Sequence, residues 1–508
     1  MGKKAQKTYR VKVLDVNHVQ PIVVMNEHDA VDQGITPGNL VLLTSGTLHQ
    51  SAIVMISGSI VSRGECAVSR ELSHRLGVSE GNTIGIRAVG IPQSFAALKK
   101  KLRGERLSEV EFLLLIRDIV SGLYGEAEIA SFLVSQLYSP LSDEEVSYLI
   151  KAMVEAGTKV RFEETAYDIH SIGGVPGNSK VALLSVPIVA STGLLIPKTS
   201  SRAIVSPSGT ADTMEVLARV DLTVEEIVEV VRKVKGSLVW GGKLGLAPAD
   251  DIFVNIEKKL AIDPDQQMIA SILSKKLAMG IERLVVDIPI GRGTKVEDIK
   301  GAEQLSSMFI KQAGLLNIAI KAALTYGGQP IGMCVGPALE AREALKAHIE
   351  RRGSKSFIEK ALLLAGLVLE LGGKTAVGQG FDVAKEIFMS GKAYEKFKEI
   401  IEAQGGNPSV KPEDIPVGKY TYTITSPIEG AVTHIDNSHV TLIARVCGAP
   451  HDKGAGIELH AKVGYRVNKG DPLLTLYSNS ESRLEEAISL LREIQPVLVE
   501  GMLIKIFP

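Results

Sequence analysis

The chain has 508 residues, 45 % of them apolar and 23 % charged, with a formal net charge of −1. This is the composition of a folded protein, and at roughly 100–200 residues per domain it holds three or four domains. The balanced charge argues against a dedicated nucleic-acid binder, which carries a basic excess. Cys66, Cys334 and Cys447 lie too far apart for a metal spacing or a disulfide framework, as suits a reducing compartment. The opening MGKKAQKTYRVKVLDV has no signal-peptide core, and the longest apolar runs, such as VALLSVPIVA and ALLLAGLVLEL, fall short of a membrane span. The expected location is cytoplasmic.

The expected fold class is multi-domain α/β. Residues 1–90 read as a β-rich, barrel-like domain, with short Val/Ile runs between turn signals. Within them DQGITPGNLVLL and RLGVSEGNTIGI share G-[I/V]-x-x-G-N followed by apolar residues. That is either a pseudo-symmetric repeat or two ordinary hairpin turns. Residues 91–160 read as a helical domain of three segments, LKKKLRGERLSEVEFLLLIRDIVSG, EAEIASFLVSQLY and SDEEVSYLIKAMVEAG. Ser142 and Glu145 form a capping box at the start of the third. Residues 161–405 alternate strand-like runs (LLIPKTS, SLVWGG, RLVVDIPIG, NIAIKAALTYGG) with helices, predicting a mainly parallel sheet with ligands at the strands' carboxyl ends. Residues 406–508 read as a C-terminal barrel-sandwich-like α+β domain. SPIEGAVTHID and VGYRVNKGDPLLTLYS resemble the halves of a flattened hammerhead, without the lysine a lipoyl or biotinyl carrier needs.

Four pieces of the third domain carry chemistry. In YDIHSIGGVPGNSK, Ser171, Gly173 and Gly174 open a turn before a long apolar helix, where backbone N–H groups and the helix dipole favour an anion. Such a turn also serves purely as a turn, and His170 reads equally as a structural histidine. KTSSRAIVSPSGTADTMEVL gathers Ser200, Ser201, Arg202, Ser206 and Thr210 after a strand. Hydroxyls donate to anionic oxygens and arginine grips a phosphate with paired N–H groups. The bland alternative is a serine-rich loop with a capping hydroxyl. In LAIDPDQQMIASILSKKLAMG, Pro264 suits the first helical position and Asp263 the N-cap. Asp263, Gln267, Ser271 and Lys275 then form a polar stripe, which spacing alone favours as the solvent face over the wall of a site. VVDIPIGRGTK ends a strand in a Gly-Arg-Gly turn followed by Lys295. No zinc pattern, nucleophile elbow, P-loop or Rossmann fingerprint is present, so metal- or serine-dependent hydrolysis is unsupported.

HSIGGVPG, KTSSRAIVSPSGTADTMEVL, WGGKLGLAPADD, DPDQQMIASILSKKLAMG and TYGGQPIGMCVGPALEAREAL occur in the order found in thymidine and pyrimidine-nucleoside phosphorylases. The additional N-terminal domain, with DIHSIGGVPGN and PKTSSRAI, resembles the archaeal branch of that family, the AMP phosphorylases. The resemblance implies phosphorolysis of AMP, and also of CMP and UMP, to a free base and α-D-ribose 1,5-bisphosphate. It implies that Gly174, the run Ser201, Arg202, Ala203, Ile204, Val205 and Ser206, then Thr210, Ser271 and Lys295 contact the nucleotide. Ser171, Gly173, Ser200 and Lys275 are additional candidates. On the same footing Asp263 is the proton donor and the stripe becomes the wall of the site. To serve, Asp263 must be protonated, which burial beside Ile262 and Met268 would favour. The implied partners are nucleoside monophosphates and inorganic phosphate as co-substrate, with no metal, no cofactor, no nucleic acid and no membrane. The first domain, double-psi-barrel-like, serves assembly, and the chain forms a homodimer or larger homo-oligomer. Two positions depart from the pyrimidine enzymes: Ile169 replaces a phosphate-binding lysine and Ile256 a base-holding arginine. Pyrimidine-nucleoside phosphorolysis, magnesium-dependent phosphoribosyl transfer and a non-catalytic nucleotide-binding regulator are the alternatives.

Overall fold

The computed structural model describes residues 7–16, 21–203 and 205–501, so the candidate Ile204 lies outside the described residues. The chain forms two compact units, Met1–Gly157 with Ala247–Ser271, and Thr158–Leu246 with Ile272–Pro508.

The first unit begins with β1 (Lys7–Leu14), β2 (Ile22–Met25), α1 (Glu27–Gln33), β3 (Leu40–Ser45), β4 (Leu48–Ile56), β5 (Glu65–Ser69), α2 (Arg70–Leu76) and β6 (Thr83–Ala88). The strands close into a barrel in the order β1-β5-β2-β4-β3-β6. Side chains two apart, Tyr9 and Val11, Val23 and Met25, Val41 and Leu43, Ile84 and Ile86, fill its core, as the strand period requires. The repeat noted in the sequence is a helix–turn–strand unit rather than a pair of hairpin turns. The side chains of Asn39 and Asn82 accept from Thr36 N and Ser79 N at 2.9 Å each, between α1 and β3 and between α2 and β6. The two helices escape a periodicity reading because each is only seven residues long.

Four helices follow: α3 (Phe95–Leu102), α4 (Glu109–Val120), α5 (Glu126–Tyr138) and α6 (Asp143–Glu155). The first predicted helix is two. Past α3 the backbone turns at Gly104, and a capping box of Ser108 and Glu111 restarts it as α4. The Ser142–Glu145 box opens α6 as the sequence indicates. Buried Glu145 also accepts from Lys101 Nζ at 3.3 Å and Leu107 N at 2.9 Å, tying α6 to α3.

The second unit starts with β7 (Ala166–Ser171), α7 (Val181–Ala190), β8 (Ile196–Ser200), α8 (Thr210–Glu215), α9 (Val224–Val234) and β9 (Gly236–Trp240). The chain then contributes α10 (Pro248–Leu260) and the beginning of α11 (Asp265–Ala278) to the first unit, where Phe253 packs 5.9 Å from Phe132 of α5. It continues through β10 (Ile281–Ile290), α12 (Ile299–Leu315) and β11 (Ala319–Tyr326). The sheet is parallel, in the orders β11-β10-β7 and β8-β9, and an Ala166–Leu195 bridge joins the two ribbons. All ten residues of α7 are buried, which is why its sequence is apolar all round. Then come β12 (Cys334–Val335), α13 (Pro337–Glu350), α14 (Lys355–Leu371), α15 (Gly380–Ser390) and α16 (Lys392–Ala403).

The C-terminal module holds β13 (Tyr420–Thr425), β14 (Gly430–Ile435), α17 (Asn437–Val446), β15 (Gly456–Leu459), β16 (Arg466–Val467), β17 (Pro472–Ser478), α18 (Glu481–Leu490) and β18 (Val497–Glu500). Its sheets run β12-β15-β17-β13 and β16-β14-β18, so β12 lends one strand to the module. Among the described residues no helix is long and apolar enough to cross a membrane.

His348 of α13 is buried in the second unit, donating from Nε2 to Leu183 O at 2.9 Å and stacking 4.7 Å from Phe397. Burial lowers its pKa from 6.5 to about 4. The unfolded chain therefore takes up this proton before the folded one does, and stability falls as pH drops from 6.5 towards 4. His348→Phe should flatten that limb of the unfolding midpoint against pH, measured by circular dichroism in urea.

Candidate active site

Because β7, β8 and β10 are parallel, the loops that leave their carboxyl ends emerge at one edge of the sheet. After β7, Ser171 Oγ accepts from Asn178 Nδ2 at 3.0 Å and from Gly173 N at 3.4 Å, shaping the glycine turn. Gly174 has φ +87°, and a Cβ there would stand 3.0 Å from Lys295 N, so the turn takes only glycine. The close approach brings the first and fourth sequence pieces together, with Gly174 and Lys295 both exposed.

The hydroxyl loop leaves β8. Ser200 ends the strand, Ser201 and Val205 are exposed, and Ser206 Oγ donates to Ser208 O at 3.2 Å. Thr210 opens α8 and donates to Ser179 O at 3.2 Å, so this loop touches the end of the glycine loop. A Cβ on Gly209 would lie 2.6 Å from Ser201 O, and the loop closes on itself there. Asp212 Oδ2 accepts from Ala203 N at 2.7 Å and Gly209 N at 3.0 Å. Arg202 does not present an unoccupied fork to an incoming phosphate. Its guanidinium stacks 4.8 Å from the Trp240 ring and donates to both oxygens of Glu215, at 2.6 Å from Nη1 to Oε2, and to Asp212 at 3.3 Å. Arg202 thus holds the loop's backbone in place.

Beneath these loops lies a buried charge cluster that the sequence reading passed over. Asp168 of β7, fully buried, accepts from Lys276 Nζ at 2.6 Å. Lys276 also donates to Thr199 O and Oγ1 at 3.2 Å each, joining α11 to β7 and β8. Lys198 Nζ stands 3.7 Å from Asp168, and burial pushes its pKa down to about 8. His170 has an enclosed Nδ1 without a hydrogen-bond partner among the described residues. Burial, and then the charges of Lys276, Lys198, Lys275 and Lys295, hold its imidazole well below the usual range, so it is neutral near pH 7. Lys198 and Lys276 thus share the one buried carboxylate of Asp168 beneath the loops. The signals for this cluster were a carboxylate inside the apolar strand AYDIHS and the second lysine of the pair Lys275–Lys276.

The polar stripe is covered unevenly. Gln267 is 1 % exposed, and Ser271 and Lys275 are half-buried. Asp263, by contrast, is exposed, without the apolar burial expected for a proton donor. The helix starts one residue later than read, at Asp265, with Pro264 O accepting from Met268 N at 2.9 Å. Ile256, at the position of the base-holding arginine in pyrimidine enzymes, is buried.

Family models match all along the second to fourth regions: a glycosyl transferase family helical bundle domain at residues 96–157, its a/b domain at 163–394, and a pyrimidine nucleoside phosphorylase C-terminal domain at 431–497. Anthranilate phosphoribosyltransferase from Thermus thermophilus shares the fold, with TM-score 0.52 and 18 % identity over 61 % of this chain and 99 % of that one. The helical bundle and a/b domain matches place the chain among the glycosyl transferases of that family. Curated relatives narrow this: AMP phosphorylases of Hyperthermus butylicus (53 % identical, 99 % of each chain), Pyrococcus furiosus (47 %, 98 % of this chain and 99 % of that one) and Methanocaldococcus jannaschii (46 %, 98 % of each). The chain belongs to the AMP phosphorylase family.

Lys276→Met should lower unfolding stability by about 3–5 kcal/mol, because it strands a buried carboxylate. In urea titrations the double variant Asp168→Asn/Lys276→Met should lose less than the single one.

Proposed function

We propose that this chain cleaves AMP with inorganic phosphate to adenine and α-D-ribose 1,5-bisphosphate, and acts on CMP and UMP as well. The match to AMP phosphorylases over nearly the whole of both chains carries the reading. The cationic, hydroxyl-rich strand ends support it, since two phosphates must be held: the attacking one and the nucleotide's own. The apolar Ile256 in place of a base-holding arginine suits a larger, flatter base than a pyrimidine.

The reaction is displacement at the anomeric carbon. The bond from C1′ to the base nitrogen breaks with its electron pair going to the base, while a phosphate oxygen bonds to C1′. Positive charge develops on the ribose and negative charge on the base, and adenine leaves readily only when protonated. Asp263 supplies that proton. Its carboxyl is exposed in the free chain. Gly173, Gly174, Lys295 and the Ser/Thr loop 200–210 bind the anions, Ser271 and Lys275 face the nucleotide, and Ser171 shapes the glycine turn through its contact with Asn178. The N-terminal barrel serves assembly of a cytoplasmic homo-oligomer.

Incubation with AMP and phosphate should release adenine and a doubly phosphorylated pentose, with little turnover of uridine or thymidine. Preference for either nucleoside would replace the proposal with pyrimidine-nucleoside phosphorolysis. AMP bound but never cleaved would indicate a regulator. Asp263→Asn should lower kcat by about 10²–10⁴-fold while AMP still binds, the range of a lost general acid. Near-intact turnover would remove Asp263 from the role.

A further inference from the structure

The C-terminal module reaches the anion loops of its own unit from behind. Asn437 Nδ2 donates to Gly327 O at 2.8 Å, Lys462 Nζ donates to Gly332 O at 3.1 Å, and Lys453 Nζ lies 3.1 Å from Asp212 Oδ1 and 2.9 Å from Glu215 Oε2. The last contact differs from an ordinary surface ion pair. Asp212 is buried and is the carboxylate on which the loop closes, accepting Ala203 N and Gly209 N on its other oxygen. Glu215 is the carboxylate that grips Arg202. Its pKa is lowered to about 2, first by the Arg202 hydrogen bonds and then, against the opposing effect of burial, by Lys453, so it stays ionised throughout the physiological range.

The lysine is also delivered in place. Lys453 O accepts from Ala338 N of α13 at 2.9 Å, and the preceding Asp452 holds Asn479 N at 3.0 Å and Asn479 Nδ2 at 2.7 Å. These contacts fix the backbone from which the Lys453 side chain starts. The formal charges balance: Asp212 and Glu215 against Arg202 and Lys453. Without Lys453 the carboxylates that anchor the loop carry one uncompensated negative charge beside a loop that binds anions.

We propose that Lys453 is a positioning residue for substrate: it neutralises and fixes the Asp212–Glu215 anchor of the hydroxyl loop, so that the C-terminal module is part of the anion-binding machinery. The inference rests on the reading that this loop holds one of the two phosphates. Lys453 does not touch substrate; it acts through Asp212 and Glu215.

The test compares the KM values for phosphate and for AMP with kcat. Thr210→Val, which alters the loop itself, identifies the substrate whose phosphate the loop holds. Lys453→Met should raise the KM of that same substrate about tenfold, the scale of a charge or placement error one step removed from the ligand, with kcat and the other KM changed much less. Lys453→Arg should retain the wild-type KM. Lys453→Met/Glu215→Gln, which restores neutrality but weakens the hold on Arg202, should recover part of the loss, whereas a role confined to packing predicts no recovery. The proposal is overturned if Lys453→Met leaves the KM that Thr210→Val moves unchanged, or lowers kcat and both affinities together with the unfolding midpoint. If Thr210→Val moves neither KM, the reading of the loop fails, and the inference fails with it.

Discussion

One buried contact organises the second unit: Lys276 on Asp168, with Thr199 as its second acceptor. A carboxylate in the middle of a buried strand is tolerable only if a cation meets it at close range with its remaining valences filled. Meeting that condition ties the end of α11 that carries Lys276 to β7 and β8, the strands from which the glycine and hydroxyl loops leave. Lys198 cannot share the carboxylate on equal terms. It stands further away, and burial, with the charge of Lys276 as a smaller contribution, holds its pKa down to about 8.

The same economy recurs one layer out. Around the hydroxyl loop, strongly charged groups are matched to partners on different elements: Asp212 and Glu215 of α8 to Arg202 of the loop and to Lys453 of the C-terminal module. The hydroxyls and amides that remain available are neutral donors on a backbone that carboxylates hold from behind. Donors fixed before the ligand arrives cost little reorganisation when charge moves from phosphate to base, which is what a displacement at an anomeric carbon asks of its site.

Much of this was legible along the chain because it is local. The capping box at Ser142, the all-apolar α7 and the strand runs of the parallel sheet each declare themselves within a dozen residues. What escaped was long-range or short. The helices α1 and α2 are too brief to show a period, and Gly104 divides a segment whose apolar spacing runs on through it. Spacing on α11 reports which residues share a side, not what covers them, so the burial of Gln267 within the stripe escaped it. Arg202 looked like a phosphate grip because its partner Glu215 lies 13 positions on, past a turn whose shape no motif announces. The expected burial of Asp263 came from its apolar neighbours in sequence, Ile262 and Met268, and neighbours in sequence do not decide burial at a chain reversal ahead of a helix.

The separation between Asp212 and Lys453 is 241 residues. During synthesis the sheet, its buried lysines and the serine-rich segment all leave the ribosome well before that lysine does. A nascent or prematurely terminated chain that stops short of the last module therefore carries Asp212 and Glu215 with Arg202 as their remaining cation, one positive charge short of balance.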